Sequence, residues 1–251
     1  MFEVLNRYMN KIIVNGDSCC HERHFAVDDS YIEKSWAYRI GATENLSLSG
    51  ASNDRIFHTT INYLNENDVS TLIIGWPNTD RYFMSISSGL FVNICPGRGG
   101  DELLFGFNNG DKRYYNHLVD FYYKNCHNSY TNLLKFCNFY LHLQDFCELK
   151  KIKFLNFMTM WPIPYGQHLR EISKNAYMSR ENKDIEEQGI NFNQKRIENL
   201  YSKFNKEHWV DKTVGIVMTD VCKDYPTMSE GDDHPGPEAS KFWAEKIKKN
   251  L

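Results

Sequence analysis

Three short apolar runs, each halting in a polar segment that carries a glycine, do most to limit what this chain can fold into. Lys11-Ile12-Ile13-Val14 stops at Asn15-Gly16, Asn45-Leu46-Ser47-Leu48 at Ser49-Gly50, and Thr71-Leu72-Ile73-Ile74 at Gly75. An unbroken β-branched run suits a strand covered on both faces, as in a parallel sheet. The stretches between the runs have helical spacing. Ser30 and Glu33 form a capping box ahead of Ile32, Trp36 and Ile40, with Gly41 placed to end the helix. Ile56, Phe57, Thr60, Ile61 and Leu64 share one face of a second helix that starts near Ser52. Strand and helix therefore alternate through the first 75 residues, which implies an α/β domain with a parallel sheet.

The rhythm is interrupted between Ser85 and Lys150. Residues 85–110 are rich in Gly and Asn and read as loop, while 112–149 read as one or two long aromatic helices, an insertion that covers the sheet or caps the site. Lys151–Met158 returns as a fourth strand and Val214–Met218 as a fifth. Pro237 then opens a last helix, where its missing N–H costs nothing, with Phe242, Trp243 and Ile247 as the buried stripe.

Composition closes off several classes. With 251 residues, 41% of them apolar, the chain can bury one sizeable core, so a disordered chain or a disulfide mini-protein is excluded and a single domain over 1–251 is expected. The net charge is −3 and basic residues gather only in short stretches such as Lys246, Lys248 and Lys249, so no nucleic-acid partner is expected. The seven cysteines are odd in number and contain no Cys-x-x-Cys pair, which points to reduced, packed thiols. Met1–Lys11 lacks the apolar core of a signal peptide, and no run approaches the ~20 apolar residues of a membrane span, so a cytoplasmic location is expected.

The chemistry is expected where the strands end, because ligands of open α/β sheets bind at the carboxyl edge. Asn15-Gly16-Asp17-Ser18, Ser49-Gly50-Ala51-Ser52-Asn53 and Gly75-Trp76-Pro77-Asn78 would all reach that edge, and Gly231-Asp232-Asp233-His234-Pro235 precedes the last helix. Each residue alone has a plainer reading: Ser18 as a helix cap, His234 as a turn residue, Trp76 as core. His21 and His24 near Ser18 match no zinc spacing, and lining a substrate pocket suits His21 better.

In order and spacing these four segments resemble the SGNH (GDSL-type) hydrolases, over residues 12–250. Gly16-Asp17-Ser18 resembles the first block and Gly50 the second. Gly75 with Asn78 approximates the third, although the usual Gly-x-Asn-Asp is altered here, and Asp232-Asp233-His234-Pro235 approximates the last. The resemblance implies a flavodoxin-like, three-layer α/β/α fold with a parallel sheet of about five strands. It implies Ser18 as nucleophile, His234 as base and Asp232 as orienting acid, with Asp233 as the alternative, since the family's acid position is Gly231 here. The oxyanion donors would be the amides of Ser18 and Gly50 and the side chain of Asn78, with Asn53 as its rival. From their place after the third strand, Trp76, Arg81 and Tyr82 could line a sugar or acyl pocket, as His21 could beside Ser18. The expected reaction is hydrolysis of a small-molecule or carbohydrate ester, most often an O-acetyl group, without metal or organic cofactor. An inactive binding protein of the same fold and an acyltransferase with the same triad stay open.

Overall fold

The structure is a computed structural model that describes residues 11–21, 35–87, 90–94, 112–164, 166–175, 183–228 and 234–251. Its centre is a parallel sheet of four strands among the described residues: β1 (Ile12–Gly16), β2 (Glu44–Asn45), β3 (Thr71–Trp76) and β6 (Lys153–Met158), in the order β2-β1-β3-β6. β1 and β3 run in register from Ile12 opposite Thr71 to Gly16 opposite Gly75, so two of the polar segments leave the sheet side by side.

Side chains alternate across the sheet as strand geometry requires. Ile13, Leu72, Ile74, Trp76, Phe154 and Met158 pack on one face, against α2 (Asn53–Glu66) and the long α4 (Ser129–Lys150). Val14, Ile73, Leu155 and Phe157 face the other way, toward α1 (Trp36–Arg39) and the C-terminal α8 (Pro237–Lys248). The molecule is thus three-layered, α/β/α. α2 forms where it does because Ser52 Oγ accepts from the Arg55 N–H and Ile56, Thr60 and Leu64 fall on one buried stripe. Asn15 is fully buried in β1 and spends its amide on the Ile56 carbonyl and the Thr59 and Thr60 hydroxyls, which locks α2 to the sheet.

Several expectations need correction. The first described helix starts at Trp36, where Ser35 caps it in extended backbone conformation; Ser30 and Glu33 lie outside the described residues. Gly41 does end α1, at φ +77°. Part of the segment read as loop is an antiparallel hairpin, β4 (Tyr82–Ser87) with β5 (Leu90–Ile94). The helical region is α3 (Lys112–Phe121), a π-turn over Tyr122–Cys126, and α4, whose Leu133, Phe136, Tyr140 and Leu143 are buried against the sheet as the crossover from β3 to β6.

Val214–Met218 is not a fifth strand. Only Val217 bridges Met158, because Gly215 turns at φ +74° and the short α7 (Met218–Val221) starts at once. Between β6 and that point lie α5 (Gly166–Asn175) and α6 (Lys183–Tyr201), which the sequence reading had not separated. In α8, Trp243 and Ile247 are buried, but Phe242 is 37% exposed and stacks on Tyr225. Of the cysteines, Cys19, Cys20, Cys126, Cys137, Cys147 and Cys222 are all unbridged, and only Cys126 among them is exposed. No helix among the described residues is long and apolar enough to cross a membrane.

Candidate active site

The residues after β1 form a single tight turn. The Asp17 carbonyl accepts from the N–H groups of Cys20 and His21, each at 3.0 Å, and its Oδ1 accepts from the Cys19 N–H at 3.1 Å. Ser18 rides on this turn, and its own backbone N–H donates to no group among the described residues. The turn is held from every side. Trp36 Nε1 donates to the Cys19 carbonyl, Asn45 Nδ2 to the Cys20 carbonyl, and Asp17 Oδ2 accepts from Arg81 Nη1 at 2.8 Å and from the Thr159 hydroxyl at 3.1 Å.

Glycine matters at one place beneath it. The Cys20 side chain lies across the ends of β1 and β3, and a Cβ on Gly16 would come within 2.5 Å of its sulfur. A Cβ on Gly75 would collide with the same sulfur and come within 2.9 Å of Phe157 and Thr159. Bare backbone at both positions lets the turn settle onto the strand ends. Burial pushes the Cys20 thiol far up in pKa, and the Asp17 carboxylate adds to this, so Cys20 is a packing group and not a second nucleophile.

His234 arrives from the other end of the chain. Its carbonyl accepts from the Met228 N–H, and Pro235 bridges Thr227 just before α8 begins. These contacts set the ring so that Nε2 lies 2.7 Å from Ser18 Oγ, across 216 positions of sequence, with both residues buried. A serine hydroxyl on an imidazole nitrogen at this distance is poised to pass its proton as it attacks an electrophilic carbon.

Around this pair the other expected residues fall as follows. Gly50 is buried, with φ +73°, a left-handed conformation that favours glycine. Asn78 is half-buried, and its Oδ1 accepts from the Asp80 N–H at 2.9 Å, which fixes the amide's orientation and assigns Nδ2 as its free donor end. Asn53 is 3% exposed and neither polar atom of its carboxamide has a partner among the described residues. His21 is half-buried on the Ser18 turn. Asp232, Asp233 and His24 lie outside the described residues. Trp76 does not line a pocket: it is fully buried on the α4 side, edge-on to Phe136, and donates to Asn156 Oδ1 at 2.9 Å. An aromatic residue ending a strand falls on whichever face its register dictates, and position 76 shares the face of Leu72 and Ile74.

Two residues at this edge had no such role in the sequence reading. Arg81 is the counter-ion of Asp17, and Thr159, the residue after β6, is its second donor. Thr159 had a signal, since it follows a strand on the edge where the other segments gather; Arg81 was expected as a pocket wall beside Trp76 and Tyr82, and not as an ion-pair partner. Among the described residues no group of three or more His, Cys, Asp or Glu side chains could hold a metal ion.

No protein-family model and no curated protein matches the chain. Among solved structures it is similar to a protein assigned to the lipolytic G-D-S-L family from Desulfitobacterium hafniense, at 14% identity over 96% of this chain and 99% of that one, with a TM-score of 0.43. It is also similar to an acetyl xylan esterase, at 13% identity over 96% and 99% of the two chains and a TM-score of 0.42. A third is the psychrotrophic esterase EstA from Pseudoalteromonas sp., at 13% identity over 96% of each chain and a TM-score of 0.40. Likeness at this level says nothing of chemistry; the contacts around Ser18 do.

Proposed function

We propose that this chain is a serine ester hydrolase of the SGNH type. The observation that carries the reading is the 2.7 Å contact between Ser18 Oγ and His234 Nε2, made by two buried residues from opposite ends of the chain. In the reaction, Ser18 Oγ attacks the acyl carbon while His234 Nε2 takes its proton, then returns that proton to the departing alcohol. Water repeats the sequence on the acyl-enzyme, with His234 again as base. Asp232 orients the imidazole through Nδ1, with Asp233 as its alternative.

The negative charge on the tetrahedral oxygen is met by the Ser18 amide, the Gly50 amide and Asn78 Nδ2. The Ser18 amide has no competing acceptor among the described residues, and the Asn78 carboxamide is already oriented by its own turn. Each such donor is worth about 3–4 kcal/mol in the transition state. The substrate class is an O-acyl group, most simply acetyl, on a carbohydrate, which the four-segment resemblance favours over long-chain lipid.

Two measurements test this. A fluorophosphonate probe should label the protein, and labelling should vanish in Ser18→Ala and in His234→Ala. Acetate should be released from an acetylated oligosaccharide by the native protein and not by Ser18→Ala. Absence of labelling and of turnover across the pH range in which the protein stays folded would end the hydrolase reading, whereas turnover of a short aryl ester alone would end only the carbohydrate assignment.

A further inference from the structure

The loop that presents Asn78 is held from outside as well as by its own turn. Three hydrogen bonds converge on Asp80. Its N–H donates to Asn78 Oδ1 at 2.9 Å, its carboxylate Oδ1 lies 3.0 Å from His127 Nε2, and its carbonyl accepts from the Tyr123 hydroxyl at 3.1 Å. Tyr123 lies within the π-turn between α3 and α4, and His127 directly after it, its backbone N–H closing the turn on the Tyr122 carbonyl at 2.7 Å. Tyr122 in turn stacks on Tyr82, with ring centroids 4.6 Å apart and planes 13° from parallel. The next residue after Asp80, Arg81, is bound to Asp17 and to the Ala51 carbonyl. The segment from Asn78 to Arg81 is therefore strung between the nucleophile turn on one side and the start of the α4 crossover on the other.

The carboxylate of Asp80 is suited to this. Burial is the largest single influence and would raise its pKa, but His127, Ser129 and His168 together outweigh it, and the group sits below its ordinary value. It is thus an ionised acceptor, and a ring N–H donating to a carboxylate is among the stronger hydrogen bonds available. A π-turn is a costly irregularity that tends to persist where it sets up function. Here it sets Tyr123 and His127 on the same residue.

We infer that Asp80 and His127 are positioning residues for catalysis: their bond fixes the turn that orients the Asn78 carboxamide toward the developing oxyanion. Neither touches substrate. This rests on the hydrolase reading and on Asn78 as a donor, and the kinetics separate the three ideas. A donor aimed correctly before the reaction stabilises only the transition state, so loosening it lowers kcat and leaves KM alone.

The test uses steady-state hydrolysis of a short-chain aryl ester by the full chain. Asp80→Ala and His127→Phe should each lower kcat by about ten- to a hundredfold, part of the 10²–10³ that a lost oxyanion donor costs. KM should stay within about twofold, the pattern of an interaction made only in the transition state. Asp80→Asn and His127→Gln, which keep an acceptor and a donor in place, should recover most of the rate. Asn78→Ala combined with Asp80→Ala should be no slower than Asn78→Ala alone, since both changes remove one interaction.

Multiplying losses in that double variant, or losses confined to KM, overturn the positioning role while leaving the enzyme intact. Full activity in Asn78→Ala overturns it together with the donor assignment. A native protein that neither turns over the ester nor takes up a fluorophosphonate overturns it together with the hydrolase reading. If Asp80→Ala does not fold, His127→Phe removes the same bond from its other end and decides the matter.

Discussion

Arg81 Nη1 lies 2.8 Å from Asp17 Oδ2, and the pair is closed off from solvent, with the Asp17 side chain wholly buried and that of Arg81 only 10% exposed. It ties the turn that carries Ser18 to the loop that follows β3, so this ion pair couples the two segments directly. Breaking a buried pair from one side leaves a charge without compensation, which costs more than the pair itself contributes. Arg81→Met should therefore destabilise the fold by about 3–5 kcal/mol in denaturant unfolding. Adding Asp17→Asn should recover part of that loss, because the orphaned charge is gone.

The Ser18–His234 pair predicts a kinetic signature of its own. If the two act as one device, Ser18→Ala and His234→Ala should each reduce kcat by about 10⁴–10⁶, and the double variant should be no slower than either. Independent contributions would instead multiply, and a His234→Ala protein with near-native turnover would remove that ring from the reaction.

Cys20 predicts a coupling in stability. Gly75→Ala forces a methyl group against the Cys20 sulfur, the Phe157 ring and the Thr159 methyl, an overpacking that should cost roughly 1–3 kcal/mol. In a Cys20→Ala background the same change should cost less, since one of the three obstacles has been withdrawn. Equal costs in both backgrounds, measured by unfolding midpoints, would show that the sulfur is not the obstacle.

His208 should make the fold sensitive to mild acid. Burial lowers its pKa from the ordinary 6.5, against the opposing pull of Glu148 and Glu207. Its Nδ1 is enclosed without a partner among the described residues, and its ring tilts over Phe154. The unfolded chain takes up the proton more readily than the native one, so this contribution to stability is complete above pH 6.5 and is lost as pH falls from 6.5 to the lower native value. The unfolding midpoint should drop across that window in the native protein and drop less in His208→Gln. An unchanged acid slope in the variant would assign the effect to other groups.

Much of this architecture is written in local pattern. β1, β3 and β6 announce themselves because a strand buried on both faces is built on an apolar run, α2 because a cap residue and a single apolar stripe coincide, and α8 because Pro237 opens it ahead of the Trp243 and Ile247 stripe. The Ser18–His234 contact was legible only through the order of four polar segments, since no local rule joins residues 216 positions apart. What failed did so for identifiable reasons. The apolar content of Val214–Met218 suits a strand, but the left-handed turn at Gly215 allows a single bridge. Trp76 was read as a pocket wall because it ends a strand at the edge where the polar segments gather, whereas its register turns it into the core beneath α4. Phe242 and Trp243 are neighbours in sequence and so point about 100° apart on a helix, which lets only one of them be fully buried. The Asp80–His127 bond depends on a π-turn, and irregular turns leave no periodic trace.

The distance along the chain between Ser18 and His234 has a consequence for how activity comes into being. On the proposed reading, a growing polypeptide that already holds Ser18, the turn beneath it and most of the sheet still lacks the His234 imidazole until the segment just before α8 has been made and docked. Turnover then reports the docking of that segment and not the average state of the molecule. A protease cut that frees only this last stretch would silence the protein while leaving most of its secondary structure standing, so loss of rate should precede loss of circular dichroism during limited digestion.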